Sequence, residues 1–177
     1  MASPAVPVSA SIKMQEGSRE MTQLFWDDVE IGMEIPPYRR VVTLMELNRF
    51  AGANDEFVLI HMDRDYSQNV SRLPDVIVMG NLKYAYLANM MTNWIGEGGT
   101  LKRLIAQFRG MDIPGPALST EPTMICKGRV TNKYIQDGER YVECEVRTET
   151  REGQITTPGS AIVILPSRDG MSSNITA

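Results

Sequence analysis

The chain has 177 residues, with 18 Lys and Arg against 22 Asp and Glu, for a formal net charge of −4. That length fits one domain, and neither half carries a basic block able to neutralise a row of phosphates, so nucleic acid is excluded as the expected partner. Apolar residues at 42% and charged residues at 23% supply a core and argue against global disorder.

In chain order, residues 1–21 are rich in Ser, Ala and Pro without periodicity and are expected to be a disordered tail. Pro4 and Pro7 fall where a signal peptide needs an unbroken apolar run, and no stretch reaches membrane-span length, so a cytoplasmic protein with reduced thiols is expected. A single domain is expected over 22–167, followed by a flexible tail over 168–177. Its body begins at Phe25-Trp26-Asp27-Asp28, turns at Gly32, breaks at Pro36-Pro37 and offers a short strand over Arg39–Val42. Thr43 and Glu46 have capping-box spacing, in which the hydroxyl accepts an orphan amide and the carboxylate reaches back. Leu44, Leu47 and Phe50 then give the helix an apolar stripe.

After an irregular stretch over 51–74, the run Met79–Trp94 is apolar on nearly every face and predicts a buried helix that stops at Gly96. Met79, Met90, Met91, Tyr84 and Tyr86 read as core rather than as a ligand box. The pattern then becomes strands at Leu104–Phe108, Met124–Tyr134, Tyr141–Thr150 and Ile155–Leu165, with Asp137-Gly138 and Glu152-Gly153 as hairpin turns. In the third of these, Val142, Cys144, Val146 and Thr148 alternate with Tyr141, Glu143, Glu145 and Arg147, as a strand with one buried face requires. The class is α+β, a long helix covered by an antiparallel sheet.

Two cysteines without Cys-x-x-Cys spacing and a single histidine point to neither a disulfide scaffold nor a zinc site; no metal and no cofactor is expected. The densest reactive cluster is Asn54–Asp65, which contains Asp55, Glu56 and His61 on a loop. His61 fits either an acid/base role or a satisfied structural histidine. Asp63 and Asp65 read as a solvated face. Gly80, at the first turn of the buried helix, fits either an amide that receives an oxyanion or close packing of the helix end.

The stretch Phe50–Asp63, with Ser67 following, resembles the hydratase motif of the MaoC-like hot-dog dehydratases, the (R)-specific enoyl-CoA hydratases. In that family an aromatic-Ala pair leads to a carboxylate, an aromatic residue and then Asn-Pro-aliphatic-His. Met79-Gly80-Asn81-Leu82 is similar to the family's His-Gly-Met-Leu at the start of its central helix. Gapless alignment puts Glu56 at the carboxylate position, Val58-Leu59 in place of Asn-Pro, and Met79 in place of the helix-start His. Thr92–Gly96 and His61–Asp65 look like the small subunits that hydrate steroid side-chain enoyl-CoAs.

The resemblance implies a hot-dog fold, a long buried central helix wrapped by a curved antiparallel β-sheet, over about Phe25 to Pro166. It implies an enoyl-CoA hydratase/3-hydroxyacyl-CoA dehydratase with Glu56 and His61 as the acid/base pair and Asp55 as the alternative base. The Gly80 amide would receive the thioester oxygen, and Lys102 or Arg103 would meet the CoA phosphates. The acyl-CoA site is expected at the interface of a homodimer or of a heteromer with another MaoC-like chain. A non-catalytic subunit of such a heteromer and a hot-dog acyl-CoA thioesterase are the alternative readings.

Overall fold

The computed structural model describes residues 23–170, so the tail expected over 1–21 and the last seven residues lie outside the described part. Five antiparallel strands form one sheet: β1 (Glu34–Arg40), β2 (Thr100–Ala106), β3 (Met124–Gln136), β4 (Glu139–Thr150) and β5 (Ile155–Ile164). Their order across the sheet is β1-β3-β4-β5-β2. Helix α1 (Leu44–Asn54) follows β1, and the long helix α2 (Gly80–Ile95) packs along the sheet. This is the hot-dog arrangement, α+β, with the core between α2 and the sheet.

The core is made by the α2 stripe Leu82, Tyr86, Leu87, Met90, Met91 and Ile95 against Val130, Val142, Val146, Ala161 and Val163. Each fully buried side chain of this size contributes roughly 1.5–3 kcal/mol. Met79, Met90, Met91 and Tyr86 are core, whereas Tyr84 is exposed and donates its hydroxyl to Leu104 O at 3.1 Å. Helix α2 is not apolar all round: Asn81, Tyr84, Asn89, Thr92 and Asn93 form an exposed face, because the sheet covers one side only. Gly96 ends the helix in the left-handed region, at φ 73°.

Three local expectations change. Pro36-Pro37 do not break the chain ahead of a strand but lie inside β1, at a bulge between Ile35 and Tyr38. An edge strand tolerates the missing donors. The strand expected from Leu104 starts earlier, at Thr100, directly after the glycines that end the helical region. The capping box is half made: Thr43 accepts the Glu46 amide, but the Glu46 carboxylate pairs with Arg40 at 3.0 Å instead of reaching back.

Along β4 the expected alternation is present, and Asp137-Gly138 turn with both residues at positive φ. Burial pushes the Cys126 and Cys144 thiols up to about 12, with the charge of Asp112 adding to the effect at Cys126. Arg168–Gly170 form a short 3₁₀ turn, tied back by the Arg168 amide donating to Asp27 at 3.0 Å. No helix among the described residues is long and apolar enough to cross a membrane.

Candidate active site

The reactive cluster occupies the connection between α1 and α2. Helix α1 ends because Asp55 adopts the left-handed conformation at φ 53°, which turns the chain and leaves the Asp55 side chain exposed. Glu56 is only half exposed, and its Oε2 accepts two amide hydrogens, from Asn54 at 3.0 Å and from Asn81 at 3.1 Å. Asn81 is the second residue of α2, so Glu56 is drawn to the N-terminus of the long helix while its neighbour Asp55 points to solvent.

A 3₁₀ turn over Leu59–His61 follows and buries His61 to 8% exposure. The Ile77 amide donates to Ile60 O at 3.1 Å, which lays the strand-like lead-in to α2 beside the turn. The His61 Nδ1 then lies 2.8 Å from Ile77 O. A carbonyl only accepts, so Nδ1 carries a proton and Nε2 is the nitrogen left to exchange one. Nε2 has no partner among the described residues, so His61 is satisfied on one nitrogen and available on the other.

The intervening loop is closed on itself. Ser67, fully buried, donates to Asp75 O at 2.7 Å, Arg64 pairs with Asp75 at 2.8 Å, and Asp63 accepts the Tyr66 amide at 2.9 Å. Arg64 holds the Asp75 carboxyl below its ordinary range. Asp63 therefore caps a turn rather than serving only as solvated surface, and Asp65 is exposed.

Gly80 opens α2, and as a first-turn residue its amide lacks an intrahelical acceptor. The Phe108 ring also presses on it: a Cβ at Gly80 would stand 2.9 Å from two ring carbons. Both roles considered for this glycine are thus compatible with its surroundings. A shallow cavity of about 360 Å³ opens here, lined by Ile77, Gly80, Lys83, Phe108 and Arg109 among others. Its cations are Lys83 and Arg109. Lys102 and Arg103 do not line it and lie exposed on β2.

The sequence reading did not single out the amides of Asn54 and Asn81, the ring of Phe108, or the buried pair Lys83–Asp112, whose Nζ and Oδ2 are 2.9 Å apart at 3% and 2% exposure. One signal was available for the last. Lys83 lies on the stripe Met79, Leu87 and Met90, so the helix period itself places a charge in the core and demands a partner. Among the described residues no group of His, Cys, Asp and Glu could hold a metal ion.

No family model matches this chain, and no curated protein matches it. Solved structures do share the fold. An (R)-hydratase from A. caviae involved in PHA biosynthesis superposes with a TM-score of 0.66 at 19% identity, covering 78% of this chain and 98% of its own. A MaoC-like dehydratase from Rhodospirillum rubrum gives 0.64 at 18% identity, with 82% and 98% covered. One chain of the ChsH1–ChsH2 complex from Mycobacterium tuberculosis gives 0.64 at 17% identity, with 77% of this chain and 98% of that chain covered. The chain therefore has the hot-dog fold found in MaoC-like dehydratases and (R)-hydratases.

Proposed function

We propose that this chain is an enoyl-CoA hydratase/3-hydroxyacyl-CoA dehydratase working through Glu56, His61 and the Gly80 amide. One observation carries the reading. His61 is oriented by Ile77 O with no partner on Nε2, and Glu56 is oriented by Asn81, so the two groups are held to the residues on either side of Gly80. The similarity to an (R)-hydratase and a MaoC-like dehydratase supports it at the level of fold.

Hydration of a conjugated thioester needs a base for water, an acid for the α-carbon and a donor for the enolate oxygen. The Gly80 amide, at the positive end of a sixteen-residue helix, supplies the donor. One member of the Glu56–His61 pair takes a proton from water as its oxygen bonds to the β-carbon. The other member, which enters the cycle protonated, delivers that proton to the α-carbon, and transfer between the two restores the starting state. Dehydration runs the same steps backward. The thioester itself acidifies the α-carbon, so this scheme draws on no metal or redox cofactor.

The second reading, a non-catalytic subunit in a heteromer, draws on Met79. It stands where the motif has a histidine, and it is fully buried, out of reach of any substrate. Similarity to a two-chain complex points the same way. Loss of enoyl-thioester absorbance, followed with short, long and polycyclic enoyl-CoAs and the purified chain alone, separates the two. Turnover by the chain alone supports the enzyme. Turnover only after a second hot-dog chain is added supports the subunit.

A further inference from the structure

The buried pair Lys83–Asp112 borders the cavity beside Gly80 through Lys83, and its hydrogen bonds run toward the groups just described. Lys83 Nζ donates to Asp112 Oδ2 at 2.9 Å and to Gly110 O at 2.8 Å, which fastens the segment after β2 to the first turn and a half of α2. The backbone of that segment reaches both ways. Gly110 donates its amide to Thr156 O on β5 at 2.8 Å, and Asp112 O accepts the Val78 amide at 2.8 Å. Val78 follows Ile77, whose carbonyl orients the His61 ring. The path from the ammonium to the imidazole is thus continuous: Lys83, Asp112, Val78, Ile77, His61.

An ion pair at this depth is a weak contributor to stability, because desolvating both charges consumes most of their attraction, and an apolar pair of the same volume is commonly as good or better. An apolar pair lacks direction, however. It would not fix which carbonyl of the Gly110–Asp112 segment faces α2, and hence not where Ile77 O points. We infer that Lys83 and Asp112 are positioning residues for His61, setting the lead-in to α2 so that Ile77 O selects the Nδ1–H tautomer. The inference deepens the hydratase reading, but only its kinetic arm rests on that reading.

His61 is the chain's single histidine, so ring-nitrogen NMR of uniformly labelled protein reports this one group without overlap. In the wild type, at a pH where the ring is neutral, the signals should be those of a ring protonated at Nδ1, with a slowly exchanging proton. The double substitution Lys83→Met with Asp112→Leu removes both charges and leaves the backbone acceptor at residue 112 in place. In that variant the Nδ1 proton should exchange at least tenfold faster and the second tautomer should appear. Where the wild type hydrates an enoyl-CoA, kcat should fall about 10- to 100-fold with KM within twofold, the signature of a displaced group rather than lost binding.

An unchanged tautomer and unchanged exchange in the folded double variant overturn the inference whatever the kinetics show. If the double variant does not fold, the wild type decides. The His61 ring proton and the Val78 amide should then exchange through the same opening, so that each rate divided by its own intrinsic exchange rate gives opening constants within a few-fold of each other. An opening constant for the ring proton a hundred times larger than that of the Val78 amide overturns the inference. A wild type that hydrates nothing but shows the expected NMR behaviour refutes the enzyme and leaves the positioning intact.

Discussion

The loop-and-helix end around His61 and the outer face of the sheet both collect charged side chains, and Glu56 and His61 in the first are satisfied in a different way from the carboxylates of the second. On the outer face, charges meet charges. Glu149, 5% exposed, lies between Lys127 and Arg147, and Arg129 pairs with Glu145 at 3.0 Å. Burial works against the charge of Glu149, but the two cations outweigh it and hold its carboxyl below the ordinary range. At the other end, Glu56 is held by two side-chain amides and His61 by a backbone carbonyl. A neutral partner orients a group without cancelling its charge or blocking its second lone pair. Opposite charges quench each other and make a surface, whereas neutral partners leave a group able to exchange protons.

This contrast can be broken most sharply at His61. His61→Ala should lower hydration by about two to four orders of magnitude with the fold retained, measured by turnover alongside circular dichroism. A folded variant with near-normal turnover would make the histidine structural and erase the distinction between the two regions. Next in size is a pair of lysines. Lys83→Met leaves Asp112 charged and buried and should cost about 3–5 kcal/mol in chemical denaturation. Lys127→Met, on a partly exposed lysine, should cost under about 1 kcal/mol.

A finer test sets neighbouring carboxylates against each other. Glu56→Gln should lose about 100-fold in kcat, while Asp55→Asn, exposed at the end of α1, should stay within a few-fold. The reverse order would move the base to Asp55. The smallest effect belongs to the outer face. Because the folded Glu149 carboxyl is held low, the unfolded chain takes up that proton first as pH falls. Its contribution is complete above the ordinary value of about 4.5 and disappears as pH drops through the folded value. Glu149→Gln should therefore flatten the acid limb of stability by no more than about 1 kcal/mol.

What the sequence made legible was local or periodic. The span of α2, its stop at Gly96, the Asp137-Gly138 turn and the alternation of β4 each follow from a few adjacent residues, and each is in the structure. Glu56 and His61, the residues the motif singles out, both bond to the segment before and at the start of α2. What stayed hidden depends on contacts distant in the chain. Whether Pro36-Pro37 interrupt a strand or ride on its edge depends on β3 lying on one side only. The His61 tautomer depends on a backbone carbonyl 16 residues away, which carries no side-chain signature. Lys83 was visible on the apolar stripe, but its partner lies 29 residues further on, in a segment without periodicity.

The two rims of the sheet are unequal. Strand β1 carries Pro36 and Pro37 at a bulge, so part of its rim lacks amide hydrogens, whereas β2, although bulged between Leu101 and Arg103, carries no proline. Head-to-tail addition of one sheet to the next would need both rims receptive, and here only one is. Two copies meeting rim to rim through β2 would use up the receptive rims and present proline-blocked ends at both extremities. The geometry thus permits a closed pair and starves an open filament, a safeguard against fibre growth written into two adjacent residues.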